Sequence, residues 1–372
     1  MTSALIVRTI STPEHLDYVR SRSSASFLQT PAWATVKNEW KGESIGWFRD
    51  GKIVGAGLVL YRQMPKLKRY LAYLPEGPLI EWHSEHLGDW LTPMAAHLKS
   101  QGAFGVRMGP PVVARRWQAS TIKQAIADEA LHSLGDVPAD FKDDAADEIR
   151  GRLAGLGWKE IATEGGFSAG QPKFNFWVPL AGKTDDQVLA SMNQLWRRNI
   201  KKAAKLGVEV TIGGRDQLAD FHRIYVETAD RDHFTPRPLS YFERMWDALT
   251  AEDTHRLKLY LAHHEGDLVA ATTMVSVGTH AWYSYGASTS AKREVRGSNA
   301  IQWQMIRDAR AAGAAVYDMR GITDTLDPAD PHVGLIQFKV GTGGEAVEYL
   351  GEWDLPLNRA LYLGFTTYMK RR

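Results

Sequence analysis

The sequence contains no cysteine. Disulfides, thiolate metal sites and cysteine nucleophiles are thereby excluded. No apolar run approaches the roughly 20 residues that a membrane-crossing helix requires. The opening residues, MTSALIVRTIST, lack a basic segment followed by a long apolar core, so no secretory leader is expected and a cytoplasmic location is. An excess of one charge is missing too. Lys and Arg number 45 against 43 Asp and Glu, a net charge of +2. A bulk-charge binder of polyanions is excluded, and any anionic partner must be met by local clusters. No G-x-S-x-G, no Ser-His-Asp order and no P-loop occurs. The histidines do not cluster at ligand spacing, and His263 and His264 on a strand face opposite sides, so no metal site is expected.

What is present is an ordinary globular composition over 372 residues, 44% hydrophobic and 24% charged. That length predicts two domains of roughly 150–200 residues each. Residues 4–8 and 43–49 read as strands. Asp50-Gly51 between two apolar runs is a hairpin signal. The loop Arg62–Arg69 carries Arg62, Lys66, Lys68 and Arg69. A strand at 70–74, a helix near 88–100 and the strand Gly102-Ala103-Phe104-Gly105-Val106-Arg107-Met108 follow. Residues 114–150 read as a polar, helical connector. The second half repeats the order. Strands at 257–262, 268–277 and 281–288 precede a helix at about 298–312 and then Gly313-Ala314-Ala315-Val316-Tyr317-Asp318-Met319. The repeated order, and the shared Gly-Ala and Met, predict an internal duplication built from mixed sheets with crossover helices, an α+β fold.

Between the halves, Thr184–Leu206 reads as one helix, with a capping box from Thr184 to Gln187 and Gly207 at the left-handed C-terminal position. Arg197, Arg198, Lys201, Lys202 and Lys205 lie on it with no acid between them. A solvated face favoured by the helix dipole is one reading, a phosphate-attracting field the other. Glu294-Val295-Arg296-Gly297-Ser298-Asn299-Ala300 sits where an acetyl-transfer fold holds pyrophosphate at a helix start. Glu294 and Asn299 spoil that pattern, so it reads as a relic of the fold or as a plain helix cap. Arg237 lies between Pro236 and Pro238, stiffly held beside a helix start where Ser240 is the expected cap. It suits bidentate phosphate contact, or it pairs with Glu243. Finally, Leu335-Ile336-Gln337-Phe338-Lys339-Val340 breaks into glycines after a loop rich in turn residues, Thr323–Pro331. Lys339 is expected on a short strand, either at a site or on a plain sheet edge.

Several pieces, in order along almost the whole chain, resemble the FemABX peptidyltransferases. They are Phe27-Leu28-Gln29-Thr30 with Trp33 and Lys37, Tyr73-Leu74-Pro75-Glu76-Gly77-Pro78, Gln171-Pro172, and Arg197-Arg198-Asn199-Ile200-Lys201-Lys202-Ala203. Arg237 with Tyr241, Tyr285-Gly286-Ala287-Ser288, Phe338-Lys339 and Gly351-Glu352-Trp353-Asp354-Leu355-Pro356 complete the set. The resemblance implies two acetyltransferase-like (GNAT-like) domains, 1–165 completed by 351–372, and 166–350. It implies aminoacyl transfer from aminoacyl-tRNA, a co-substrate with no further cofactor, to a stem-peptide amine of UDP-MurNAc-pentapeptide or lipid II. In that pattern Lys37 and Arg237 hold the precursor diphosphate, Tyr241 and Tyr285 line the cleft beside it, and Phe338 and Lys339 stand near the reacting ester. The five cations from Arg197 to Lys205 are then the expected tRNA contact. A monomer, with peripheral contact to the inner membrane face, is the expected form. Gly109 departs from the acid that many members carry there, and the helical arm of larger members is missing. An acyl-CoA-dependent N-acyltransferase and an inactive tRNA- or muropeptide-binding module remain the alternatives.

Overall fold

The computed structural model describes residues 4–161, 170–327, 329–330 and 332–370. The chain divides into two compact units, the first made of residues 1–116, 141–173 and 347–372, the second of 117–140 and 174–346.

Unit 1 is built on seven strands in the order Ile6–Thr9, Lys41–Arg49, Lys52–Gln63, Tyr70–Leu74, Ala103–Met108, Trp353–Pro356 and Lys159–Glu160. Only Tyr70–Leu74 and Ala103–Met108 run parallel. The helix Leu87–Ser100 makes that crossover. Its buried Trp90, Leu91, Met94 and Leu98 enter a core with Trp47, Val106 and Trp353. The Asp50-Gly51 turn has φ of 50° and 76° at its two residues, the left-handed pair that a tight hairpin needs.

Unit 2 repeats the plan. Glu209–Gly213, Leu257–His264, Asp267–Val277 and His280–Ser288 are antiparallel neighbours, and Val316–Ile322 lies parallel to His280–Ser288. The crossover helix is Gly297–Ala311. The Gly-Ala shared by the two halves has a physical cause. Gly102 (φ 90°) and Gly313 (φ 86°) each follow a crossover helix in left-handed conformation, and the parallel strand starts one residue later in unit 1, at Ala103, and three residues later in unit 2, at Val316. In each unit an antiparallel strand from a distant part of the chain then covers the parallel one: Trp353–Pro356 in unit 1, Phe174–Pro179 in unit 2.

Two expectations need correction, and a third falls outside the described residues. Residues 117–140 were assigned to the first domain by sequence, but Trp117, Ile122, Leu134 and Val137 are buried in the core of unit 2 with Phe176 and Met305. The expected boundary at 165/166 lies outside the described residues. The single helix Thr184–Leu206 is two, Asp185–Ser191 and Gln194–Lys205. Its Thr184–Gln187 capping box is present, but Asn193 accepts from the Trp196 amide and starts a new helix.

The return of the C-terminal segment is fixed by charge. Arg107 donates from Nε and Nη2 to Asp354 at 2.8 and 2.9 Å, and the Tyr362 hydroxyl donates to the same carboxylate. Asp354 is buried, so truncating it strands a cation. Asp354→Ala is expected to cost about 3 kcal/mol of stability. In urea melts the Arg107→Ala, Asp354→Ala pair should lose clearly less than the sum of the two single variants.

Candidate active site

The apolar run that carries Lys339 is a helix, Val333–Val340, not the expected strand. A short run that is apolar on every side carries no period to tell the two apart, and packing decides. Trp196 packs its ring 4.8 Å from that of Phe338 and donates from Nε1 to the Phe338 carbonyl at 2.8 Å. It thus occupies a carbonyl that the helix end leaves open. Gly341 lies against the same indole, where a Cβ would collide.

Lys339 is buried, and its Nζ donates to the carbonyls of Arg320 at 3.1 Å and Gly321 at 2.7 Å. Those carbonyls belong to an irregularity in Val316–Ile322, where pairing with Phe174–Pro179 slips between Asp318 and Gly321 and Arg320 takes φ 62°. Asp318 shapes the bend by accepting from the Arg320 amide at 2.6 Å and from Trp177 Nε1 at 3.1 Å, with His280 Nε2 at 3.4 Å. Burial alone would raise the Asp318 carboxyl, but His280 and Arg320 hold it below its usual range. Burial pushes the Lys339 ammonium down to about 7, against the opposing pull of Asp318. The result is a dehydrated amine that titrates at neutrality, with two of its three donor positions fixed.

Phe338 is half-exposed and lines a cleft of about 580 Å³. Asn199, Thr228, Gly286, Arg296 and Ser298 line it as well. The cleft opens at the N-terminus of helix Gly297–Ala311, where Gly297 fits so closely to the sheet that a Cβ would come 2.8 Å from Val269 Cγ2. Glu294 and Asn299, which looked disabling in sequence, do not close it: Glu294 is exposed, and Asn299 is buried as one of its walls.

Arg237 is exposed and lies over the Tyr241 ring at 5.1 Å. Glu243, the partner weighed for it, pairs with Arg215 instead, at 3.9 Å. The Tyr241 and Tyr285 hydroxyls meet at 3.0 Å. Both rings join Tyr225 and Phe242 in one aromatic cluster that also holds Phe234, a further lining residue of the cleft. The helix here starts at Leu239 behind Pro238, without the expected Ser240 cap. Arg237, Tyr241 and Tyr285 thus form one group.

The basic helix divides. Arg197 donates from Nη1 to the carbonyls of Ala190 at 3.0 Å and Met192 at 2.7 Å, so it closes the preceding helix. Arg198, Lys201, Lys202 and Lys205 are exposed. Lys37 belongs to unit 1, where it ends the short helix Ala32–Val36 and lies 3.8 Å from Glu39.

Unit 1 also holds a group to which sequence reasoning gave no role. Glu352 is buried, accepts from the Tyr73 hydroxyl at 2.5 Å and from the Gln171 amide at 3.2 Å, and is pushed upward by burial. The Gln29 amide holds the adjoining turn by donating to the Pro75 carbonyl at 2.8 Å and accepting from the Leu58 amide at 2.9 Å. Ser26 donates to Glu76 at 2.6 Å. Three of the motif pieces therefore meet around one carboxyl, and a fourth, at Gln29, braces the turn beside it. Their recurrence as separate motifs was the available signal.

The FemAB family model matches residues 10–264 and 258–370. Among proteins of known function, the lipid II:glycine glycyltransferase of Staphylococcus aureus (strain MRSA252) is 24% identical over 95% of this chain and 93% of its own length. Among solved structures, the crystal structure of FemX superposes with a TM-score of 0.79 at 24% identity, covering 96% of this chain and 98% of that one. A tandem GNAT protein from the clavulanic acid biosynthesis pathway gives 0.52 at 12% identity, over 95% and 98%. The fold is thus α+β, two acetyltransferase-like domains, and with the model matched over nearly its full length the chain belongs to the FemAB family.

Proposed function

We propose that the protein is an aminoacyltransferase that moves an amino acid from an aminoacyl-tRNA ester to the side-chain amine of the third stem-peptide residue of a peptidoglycan precursor. The relatives' name favours glycine as the residue moved and lipid II as the acceptor. UDP-MurNAc-pentapeptide is the soluble counterpart with the same diphosphate. In the reaction, the amine nitrogen attacks the ester carbonyl and loses a proton. An oxyanion forms and collapses, and the ribose hydroxyl leaves with a proton. The catalytic needs are orientation and a positive field on that oxyanion.

The observation that carries the reading is Arg237, an exposed guanidinium seated on Tyr241 whose nearest sequence candidate for a salt bridge is engaged elsewhere. Such a group is ready for a diphosphate. Lys37, in unit 1, keeps the precursor-phosphate role that the resemblance implies for it. Lys339 supplies the charge for the oxyanion, and Phe338 shapes the cleft wall. Arg198, Lys201, Lys202 and Lys205 are assigned to the tRNA backbone, which makes donor binding salt-sensitive. Arg197 is withdrawn from that set because its guanidinium is engaged in the helix break. An acyl-CoA donor is the competing reading that the open cleft at Gly297 keeps in view, and transfer assays with acetyl-CoA against charged tRNA separate the two.

Arg237→Ala should raise the Kd for UDP-MurNAc-pentapeptide by about tenfold to a hundredfold, measured by calorimetry. An unchanged Kd removes the phosphate role.

Lys339→Met should lower kcat by about a hundredfold or more. Because the working form is the ammonium, wild-type kcat should fall as pH rises through about 7. The stability test runs in the opposite sense. The unfolded lysine keeps its proton to about 10.4, so the unfolded state binds more protons between those two values and stability rises with pH across that window. Lys339→Met should abolish the rise in urea melts, and a slope that survives the substitution places the titration elsewhere.

A further inference from the structure

Two prolines stiffen Arg237 without locating it. Pro236 and Pro238 fix their own φ angles and carry no N–H. Residues 235–238 therefore offer only the Thr235 and Arg237 amides as backbone donors. A segment so poor in donors has to be fastened through its carbonyls, by donors from outside.

The segment spans the gap between helices Leu218–Asp232 and Leu239–Glu252. At its start the first helix closes on His233 in left-handed conformation, φ 59°, and the Phe234 amide donates to the Ala229 carbonyl at 3.1 Å. At its far end the anchor is a side chain. His222, in the first turns of the same helix, donates from Nε2 to the Arg237 carbonyl at 3.0 Å. A carbonyl oxygen only accepts, so Nε2 carries a proton. The imidazole is itself held. Its ring lies 6.4 Å from that of Tyr225, one turn on, and 6.1 Å from that of Phe242 on the next helix. Tyr225 and Phe242 are buried, so the half-buried histidine rests on a rigid backing. Burial and Tyr285 raise the Tyr225 phenol to about 12, and the Arg237 amide pulls against them. The aromatic cluster thus meets Arg237 through both its carbonyl and its amide.

We propose that His222 is a positioning residue for Arg237. Its Nε2–H holds the Arg237 carbonyl and so fixes where the guanidinium stands over Tyr241 and meets a diphosphate. The inference rests on the reading of Arg237 as the diphosphate contact. An exposed arginine loses side-chain freedom when it binds, and a backbone free to move would add to that loss. The histidine removes the second cost in advance. A histidine that only covered the aromatic cluster would need its ring and not its donor.

That difference is the test, read by calorimetry of the full chain with UDP-MurNAc-pentapeptide. His222→Phe keeps a ring without the donor and should raise Kd about fivefold. His222→Gln keeps an N–H where Nε2 stood and should stay within about twofold of wild type. In the Arg237→Ala background His222→Phe should add nothing, because no guanidinium is left to place. If His222→Phe fails to fold, His222→Ala takes its place, alanine being the best helix former. Wild-type affinity in His222→Phe, with Arg237→Ala still weakened, overturns the role of His222 alone. Equal losses in the Phe and Gln variants, or a His222→Phe loss that persists in full without Arg237, make the histidine a packing residue and overturn it too. Unchanged affinity in Arg237→Ala itself removes the diphosphate reading, and this inference with it.

Discussion

One dehydrated ammonium sets the terms for the second unit. Among the described residues no carboxylate lies at bonding distance of Lys339; its proton is held by two backbone carbonyls, those of Arg320 and Gly321. Carbonyls can face one point only if the strand leaves its regular path, and Val316–Ile322 does so with Arg320 at φ 62°. A non-glycine residue in that region is held by its surroundings. Here the surroundings are Asp318, whose carboxylate takes the Arg320 amide, and Trp177, which anchors that carboxylate from the covering strand. The helix that presents Lys339 is fixed in turn by Trp196. Charge, bulge and helix are therefore linked in one hydrogen-bonded arrangement.

The duplication shows what was changed to make that arrangement. Aligned on their Gly-Ala starts, the two sequences give Arg107 of unit 1 and Asp318 of unit 2 equivalent positions. Both sit directly across from a residue of the covering antiparallel strand: Arg107 faces Asp354, and Asp318 faces Trp177. In unit 1 the pair is a bidentate ion pair that ties the C-terminal segment into the sheet. In unit 2 the same position carries an acid with no basic side chain across from it. Its spare acceptor capacity goes to the Arg320 amide and to His280. A position that is structural in one copy became the support of a buried lysine in the other.

Much of the fold was legible in the sequence because its signals are local. Asp50-Gly51, the Thr184–Gln187 box and the left-handed glycines at 102, 207 and 313 each state a backbone requirement that neighbours cannot override. Arg237 was readable in the sequence only as a residue held between two prolines, and the structure seats it over the Tyr241 ring. The failures share the opposite character. Whether 333–340 is helix or strand depends on Trp196, well over a hundred residues away, and no pattern within eight apolar residues encodes it. Residues 117–140 look polar, yet Trp117, Ile122 and Leu134 suffice to bury them in the second core. The break after Ser191 is hidden inside a periodic apolar stripe, and only the Asn193 cap reveals it. Glu352 was visible as a motif but silent as chemistry, because burial and the Tyr73 contact give it its character.

Cation clusters expose the same limit from another side. Arg197 and Arg198 are adjacent in sequence and indistinguishable by composition. The first spends its guanidinium on two carbonyls, while the second is exposed. The Lys66–Arg69 run is as basic in sequence as the helix at 197–205, and exposed leucines flank both, Leu67 at the first and Leu195 and Leu206 at the second. Phosphate on a nucleic acid and phosphate on a lipid are equal to a lysine. Charge and exposed leucine are alike at both surfaces, so neither composition nor apolar area separates them. Two faces of similar charge and similar exposed leucine thus stand on a chain whose net charge is only +2.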